Sequence, residues 1–122
     1  MVRASFAHYV ALTCGHELHA WQRIVCDRLQ RLKHETGQRI LIHGPPQFGK
    51  SILVSKRFPA WWLGHKPEGR VVLAAYAKNH ALGLALAMRT ASESELHRRA
   101  FPRFKWESWN ADAGGSLSQR VA

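Results

Sequence analysis

The chain has few acidic residues. Eight aspartates and glutamates stand against 18 lysines and arginines, which gives a formal net charge of +10 over 122 residues. A balance this basic favours a polyanionic partner, most simply nucleic acid, and a merely solvated basic surface is the alternative. Hydrophobic residues make up 46% of the chain, which excludes a disordered protein and predicts a folded domain.

Cysteine is also scarce. Cys14 and Cys26 are the chain's two cysteines, too few for the disulfide framework of a small secreted protein. They share a neighbourhood with His16 and His19, but the spacing Cys-x-His-x2-His-x6-Cys matches no common zinc pattern. We therefore expect free thiols and surface histidines here rather than a metal site.

Long apolar runs are missing as well. None approaches the roughly 20 residues that a membrane-spanning helix needs, and residues 1–8 lack the continuous apolar segment of a signal peptide. The sequence therefore predicts no membrane partner and a cytoplasmic location.

Turn residues divide the chain into alternating helical and apolar segments. Residues 1–16 are expected to form an irregular lead-in, and residues 17–122 a single unit. Apolar residues at steps of three and four predict an amphipathic helix over 17–36. A second helix is predicted over 50–58, ended by Pro59, with one more turn over 60–63 closed by Gly64. A third is predicted over 79–91, with Asn79 as an N-cap; it is apolar nearly all round and should be well buried. Short apolar runs bounded by turn residues predict buried strands over 39–43 and 71–76. A further short helix should open at Ser92–Glu95 and end at Phe101. Strand and helix in alternation are typical of an α/β fold with a parallel sheet flanked by helices.

A glycine-rich loop between the first predicted strand and its helix carries the clearest chemical signal. Its eight residues are Gly44, Pro45, Pro46, Gln47, Phe48, Gly49, Lys50 and Ser51. They satisfy the Walker A pattern Gly-x4-Gly-Lys-Ser, in which glycines let backbone N–H groups approach phosphate. Lys50 is expected to reach the β- and γ-phosphates of ATP, and the Ser51 hydroxyl to ligate Mg²⁺.

The acidic residue that an ATPase of this type also requires is not found after the loop. Such a residue follows an apolar strand, where it holds Mg²⁺ and polarises water. No acid after Ser51 follows a run of four apolar residues. The sequence thus predicts ATP binding, identifies no catalytic residue, and leaves enzyme activity open.

The chain resembles the large terminase subunit of tailed phages, at the start of its ATPase domain. The resemblance covers roughly residues 18–115 and is carried by segments in a specific order: His43–Ser51, Phe58–Gly64, Pro67 and Val71–Tyr76. The chain departs from the family pattern at two positions: Gln47 stands where arginine is usual, and Phe48 stands where histidine is common. The family's arginine assists hydrolysis, so its absence weakens the expectation of turnover.

The resemblance implies a partial P-loop NTPase fold that lacks the Walker B strand and the nuclease domain. It implies an ATP- and Mg²⁺-binding fragment of a DNA-packaging motor, incomplete for hydrolysis alone and working in the cytoplasm of a bacterial host. Double-stranded DNA, the small terminase subunit and the portal are the implied partners. A second polypeptide is expected to supply the rest of the ATPase.

Two other functions remain open on the sequence. One is a non-enzymatic, basic nucleic-acid-binding remnant that keeps the loop as a relic. The other is a small phosphotransferase with the same loop, although no lid-like arginine cluster is visible after the loop. Lys56, Arg57 and Lys66 are the first candidates for contacts to nucleic-acid phosphates.

Overall fold

The computed structural model describes residues 4–46, 49–66, 68–109 and 117–121. Of the residues singled out above, Gln47, Phe48 and Pro67 lie outside these ranges. The described chain is mostly helical. Its helices and strands are α1 (Phe6–Cys14), α2 (Ala20–Arg31), a π-helical segment (Ile52–Arg57), α3 (Phe58–His65), α4 (Lys78–Glu93), α5 (Glu95–Ala100), β1 (Phe104–Trp109) and β2 (Leu117–Val121).

The predicted α/β fold, a partial P-loop NTPase with a parallel sheet, is wrong. Segments 39–43 and 71–76 form no strand, and the strands described, β1 and β2, pair with each other in antiparallel fashion. Burial alternates along both segments: Ile40 and Leu73 pack against the core, whereas Leu41 and Val72 are 82% and 89% exposed. Both segments were predicted to be buried throughout, and the exposure of Leu41 and Val72 shows that this was wrong as well. The apolar pattern could not predict whether another strand would lie alongside to complete the backbone hydrogen bonds.

The expected irregular lead-in contains helix α1. Ser5 caps this helix by accepting a hydrogen bond from the His8 N–H at 3.3 Å, and Gly15 ends it with a φ of 73°, a left-handed conformation that glycine adopts without strain. Phe6 and Tyr9 are fully buried. The first segment is therefore part of the core rather than a lead-in.

Helix α2 confirms the predicted amphipathic helix but is shorter than 17–36. It begins after His19, whose backbone N–H donates to Gln22 Oε1 at 2.8 Å, and buries Cys26 and Leu29. The residues that follow Arg31 turn away from the helix axis and are held by an ion pair between Arg28 and Glu35 at 2.9 Å.

A helical run from residue 50 to 65 replaces the predicted helix 50–58. Pro59 was expected to end the helix, yet it lies inside this run, in the first turn of α3 and directly after the π-helical segment. The Phe58 N–H there donates to the Leu53 carbonyl, five residues back. Gly64 was predicted to close the run and instead lies inside α3, against the ring of Phe101.

Helix α4 confirms the predicted helix 79–91 with two corrections. Its N-cap is Ala77, so Asn79 lies inside the first turn. The helix is also less buried than its composition suggested, because Leu86 is exposed while Ala85 and Met88 face the core. The next helix, α5, opens within the predicted stretch Ser92–Glu95, but its N-cap is Ser94, and Ser92 still belongs to α4; α5 ends before Phe101, as predicted.

The core draws on all five α-helices and is rich in aromatic rings. Phe6 lies 5.4 Å from both Phe58 and Trp61 between ring centroids. Tyr9 contacts His97, and His97 lies against Phe101 at 4.9 Å. Contacts of this kind add to the stability gained by burying apolar area. Within the described ranges, no helix is both long and apolar enough to cross a membrane.

Candidate phosphate-binding loop

The loop predicted to bind phosphate lies at the head of the 50–65 helical run. An extended segment leads into it through His43, and helical backbone begins at Lys50. Gly49 makes the turn with a φ of 84°, a left-handed conformation that costs an L-amino acid about 1–2 kcal/mol. The Gly49 carbonyl then accepts a hydrogen bond from the Leu53 N–H at 3.4 Å. Glycine at position 49 therefore allows a backbone conformation that another residue would adopt only with strain.

The side chain of Lys50 folds back over the loop. Its ammonium group donates hydrogen bonds to the backbone carbonyls of Gly44 and of Pro45, the latter at 3.0 Å. The structure thus brings the two ends of the motif together around one positive charge. Backbone N–H groups at the start of a helix add further positive potential at this place.

Gly44 lies close to the side chain of Lys50. A Cβ atom at position 44 would come within 3.1 Å of Lys50 Cδ and 3.4 Å of Nζ. An alanine at this position would require the lysine side chain to shift by a few tenths of an ångström.

The other described loop residues have simpler roles. Pro45 and Pro46 are exposed and offer no N–H group to a ligand. The predicted contributions of Gln47 and Phe48 lie outside the described residues. Ser51 is exposed, and its hydroxyl makes no hydrogen bond to another described residue. It is accessible to a ligand as the Mg²⁺ prediction requires.

The three basic residues expected to contact nucleic acid differ in their surroundings. Arg57 is half-buried and close enough to Tyr9 to affect its pKa, and its Nε atom has no hydrogen-bond partner among the described atoms. Lys56 is half-buried. Lys66 is exposed and places its ammonium 5.3 Å from the Trp62 ring centroid. No described hydrogen bond, ion pair or ring contact links any of the three to Lys50.

The cysteine and histidine neighbourhood forms no metal centre. The described part of the chain holds no group of three or more histidine, cysteine or acidic side chains that could bind a metal ion. Cys26 is a buried free thiol, and burial raises its pKa to about 12, so it remains protonated. Cys14 is also a free thiol, half-buried at the end of α1.

An open cavity of about 540 Å³ lies between α1 and α2 and was not predicted from the sequence. Its lining includes the charged side chains of Glu17, Arg23 and Asp27, together with Gln30. Asp27 pairs with Arg31 at 3.0 Å, and Gln30 accepts a hydrogen bond from the Phe6 N–H at 2.9 Å. No described loop residue lines this cavity, and its location could not be predicted because α1 itself was not predicted.

No protein family matches the chain, and none of the curated proteins or solved structures does.

Proposed function

We propose that residues 44–51 bind the triphosphate of Mg-ATP, and that this chain is the nucleotide-binding part of a terminase-like DNA-packaging motor. The observation that supports ATP binding best is the position of Lys50. Its ammonium is held by the loop carbonyls at the head of a helix, next to a glycine of left-handed conformation. The proposal depends on this local geometry and on the sequence motif, and does not require a parallel sheet.

In the proposed complex, Lys50 exchanges the carbonyls of Gly44 and Pro45 for phosphate oxygens. The exchange is favourable because a charged acceptor makes a stronger hydrogen bond than a neutral carbonyl. Backbone N–H groups of Lys50 and Ser51, at the start of the helix, donate to the same phosphates. The Ser51 hydroxyl offers one ligand to Mg²⁺, an ion that takes most of its other ligands from phosphates and water.

In this proposal the motor is incomplete without a second polypeptide. Exposed apolar side chains in segments 39–43 and 71–76 support the presence of such a partner. Leu41, Val72 and Tyr76 are 82%, 89% and 93% exposed, and apolar side chains exposed to this extent favour contact with another chain. The second polypeptide would cover them and supply the acidic residue needed for hydrolysis. By resemblance, duplex DNA, the small terminase subunit and the portal are the other partners, in the cytoplasm of a bacterial host.

Calorimetric titration with Mg-ATP tests the proposal, with hydrolysis assayed on the same samples. We expect the unaltered chain to bind without turnover, Lys50→Ala to abolish binding, and Lys78→Ala to bind as the unaltered chain does. Lys78 is a suitable control because it is an exposed lysine that also begins a helix. Absence of binding by a folded chain, or equal loss in both variants, would contradict the proposal.

One observation favours the nucleic-acid-binding remnant as a second candidate. Lys50 is satisfied by two carbonyls of its own loop, so the loop is stable without nucleotide. A folded chain that binds DNA in a salt-dependent manner but does not bind Mg-ATP would support this second function.

A further inference from the structure

Three exposed arginines lie at and just after the C-terminal end of α5. Arg98, Arg99 and Arg103 are exposed, whereas His97, Phe101 and Phe104, from the same stretch, are buried. Burial of one side of this stretch fixes which side faces solvent. The three guanidinium groups are therefore directed outward by the packing of the core, rather than spread around a flexible segment.

Among the described residues none of the three arginines forms an ion pair, although Glu95 lies one helical turn before Arg98 and Arg99. Arg98 Nε donates to the backbone carbonyl of Glu93 at 2.8 Å, a bond that orients the side chain but carries no compensating charge. The Glu93 carboxylate is bonded to Arg89 instead, at 2.9 Å. Neither Arg99 nor Arg103 forms an ion pair in the described part of the structure. An arrangement of this kind matches phosphate groups, which arginine binds with two parallel hydrogen bonds.

We propose that Arg98, Arg99 and Arg103 form a contact surface for the phosphate backbone of duplex DNA. The surface is separate from the residues suggested by the sequence, Lys56 and Arg57, which are half-buried. The choice of duplex DNA as the partner of this surface rests on the proposed function. Binding of DNA to the surface does not require that ATP bind.

The surroundings of the arginines favour duplex DNA over other polyanions. A membrane-binding segment combines basic residues with exposed apolar side chains that enter the lipid, but Phe101 and Phe104 are buried here. Single-stranded nucleic acid is bound through exposed aromatic rings on which bases stack, and residues 98–103 expose none. Charge alone, held on a folded surface, suits a regular phosphate backbone.

Fluorescence anisotropy with a short labelled DNA duplex, titrated with salt and without nucleotide, tests the proposal. The slope of the logarithm of the binding constant against the logarithm of the salt concentration measures the number of phosphate contacts, at roughly 0.9 per contact. The triple variant Arg98→Gln, Arg99→Gln, Arg103→Gln should lower the magnitude of this slope by about 2.7. Affinity at about 0.1 M salt should fall on the order of a hundredfold. Because the assay contains no ATP, failure here is distinguishable from failure of ATP binding.

A second triple variant provides the control for net charge. Arg23→Gln, Arg39→Gln and Arg70→Gln remove the same charge from exposed arginines on other segments, and should leave the salt dependence nearly unchanged. If the first triple variant does not fold, as judged by circular dichroism, Arg99→Gln with Arg103→Gln keeps the Arg98 hydrogen bond and should lower the steepness by about 1.8. Equal losses of DNA affinity in the two triple variants, or unchanged DNA binding by the first one, would overturn the proposal. Binding of the unaltered chain to anionic vesicles in preference to the duplex would overturn it as well.

Discussion

Tyr9 and His97 are joined by a buried hydrogen bond, with the tyrosine hydroxyl 2.9 Å from His97 Nδ1. The two residues are 88 positions apart in the chain and connect α1 with α5. Both side chains are fully buried, and the second ring nitrogen of His97, Nε2, has no hydrogen-bond partner among the described atoms. Burial raises the pKa of Tyr9 to about 12 and lowers that of His97 to about 4. Both side chains are therefore neutral at physiological pH, and the hydrogen bond between them is a polar contact that joins α1 to α5 within the core.

Replacing Tyr9 with phenylalanine should lower the free energy of unfolding by about 1–3 kcal/mol, because both ring nitrogens of His97 would then be buried without a partner. Urea unfolding followed by circular dichroism measures the change. Tyr76→Phe removes the same hydroxyl from an exposed ring and should alter stability by no more than about 0.5 kcal/mol. Equal effects of the two substitutions would contradict a structural role for the buried bond.

Acidification should destabilise the protein through His97. Its pKa falls from an ordinary 6.5 to about 4 in the folded chain, so the unfolded chain binds the proton first as the pH falls. This contribution to stability is constant above pH 6.5 and is lost between pH 6.5 and 4, by about 3 kcal/mol in total.

Urea midpoints at several pH values, for the unaltered chain and for His97→Gln, isolate the effect of His97. Glutamine can still bond to Tyr9 but does not titrate, so the variant should show a shallower loss of stability toward pH 4. Parallel pH profiles would show that other groups are responsible for acid unfolding.

Two glycine-to-alanine substitutions in helices should have opposite effects. At Gly64 a Cβ atom would lie 2.6 Å from Phe101 Cγ and Cδ2, and overpacking of this kind costs about 1–3 kcal/mol. At Gly83 a Cβ would meet nothing within 4 Å, and alanine should stabilise α4 by up to about 1 kcal/mol. Thermal melting of both variants measures the difference, and a stabilising Gly64→Ala would refute the close packing of α3 against Phe101.

When the proposed second polypeptide is absent, the exposed side chains of Leu41 and Val72 favour self-association. Polar substitutions at these positions should reduce it without unfolding the chain. Leu41→Ser with Val72→Ser removes two exposed apolar side chains, and the free energy of unfolding should change by less than about 0.5 kcal/mol. Sedimentation velocity measures association. Ile24→Ser, at a residue that is 71% exposed on helix α2, is the matched control and should not change it. A monomeric unaltered chain, or an equal effect of the control, would count against the segments as a contact surface.

Several local features of this protein could be predicted from its sequence. The loop lies at the head of a helix, and a short helix opens within Ser92–Glu95 and ends at Phe101, as predicted. Each of these depends on residues within about four positions of one another, where glycine conformation and capping bonds act directly. The basic composition likewise predicted a polyanionic partner, which stays a prediction.

Other features depend on contacts between distant segments, and the sequence did not predict them. A strand requires another strand beside it, so the apolar runs 39–43 and 71–76 predicted buried strands that the fold does not form. Helix α1 and the Tyr9–His97 pair likewise exist through burial against helices far along the chain. The surface of Arg98, Arg99 and Arg103 was equally hidden in the sequence, since only the burial of Phe101 and Phe104 fixes which side of that stretch meets solvent.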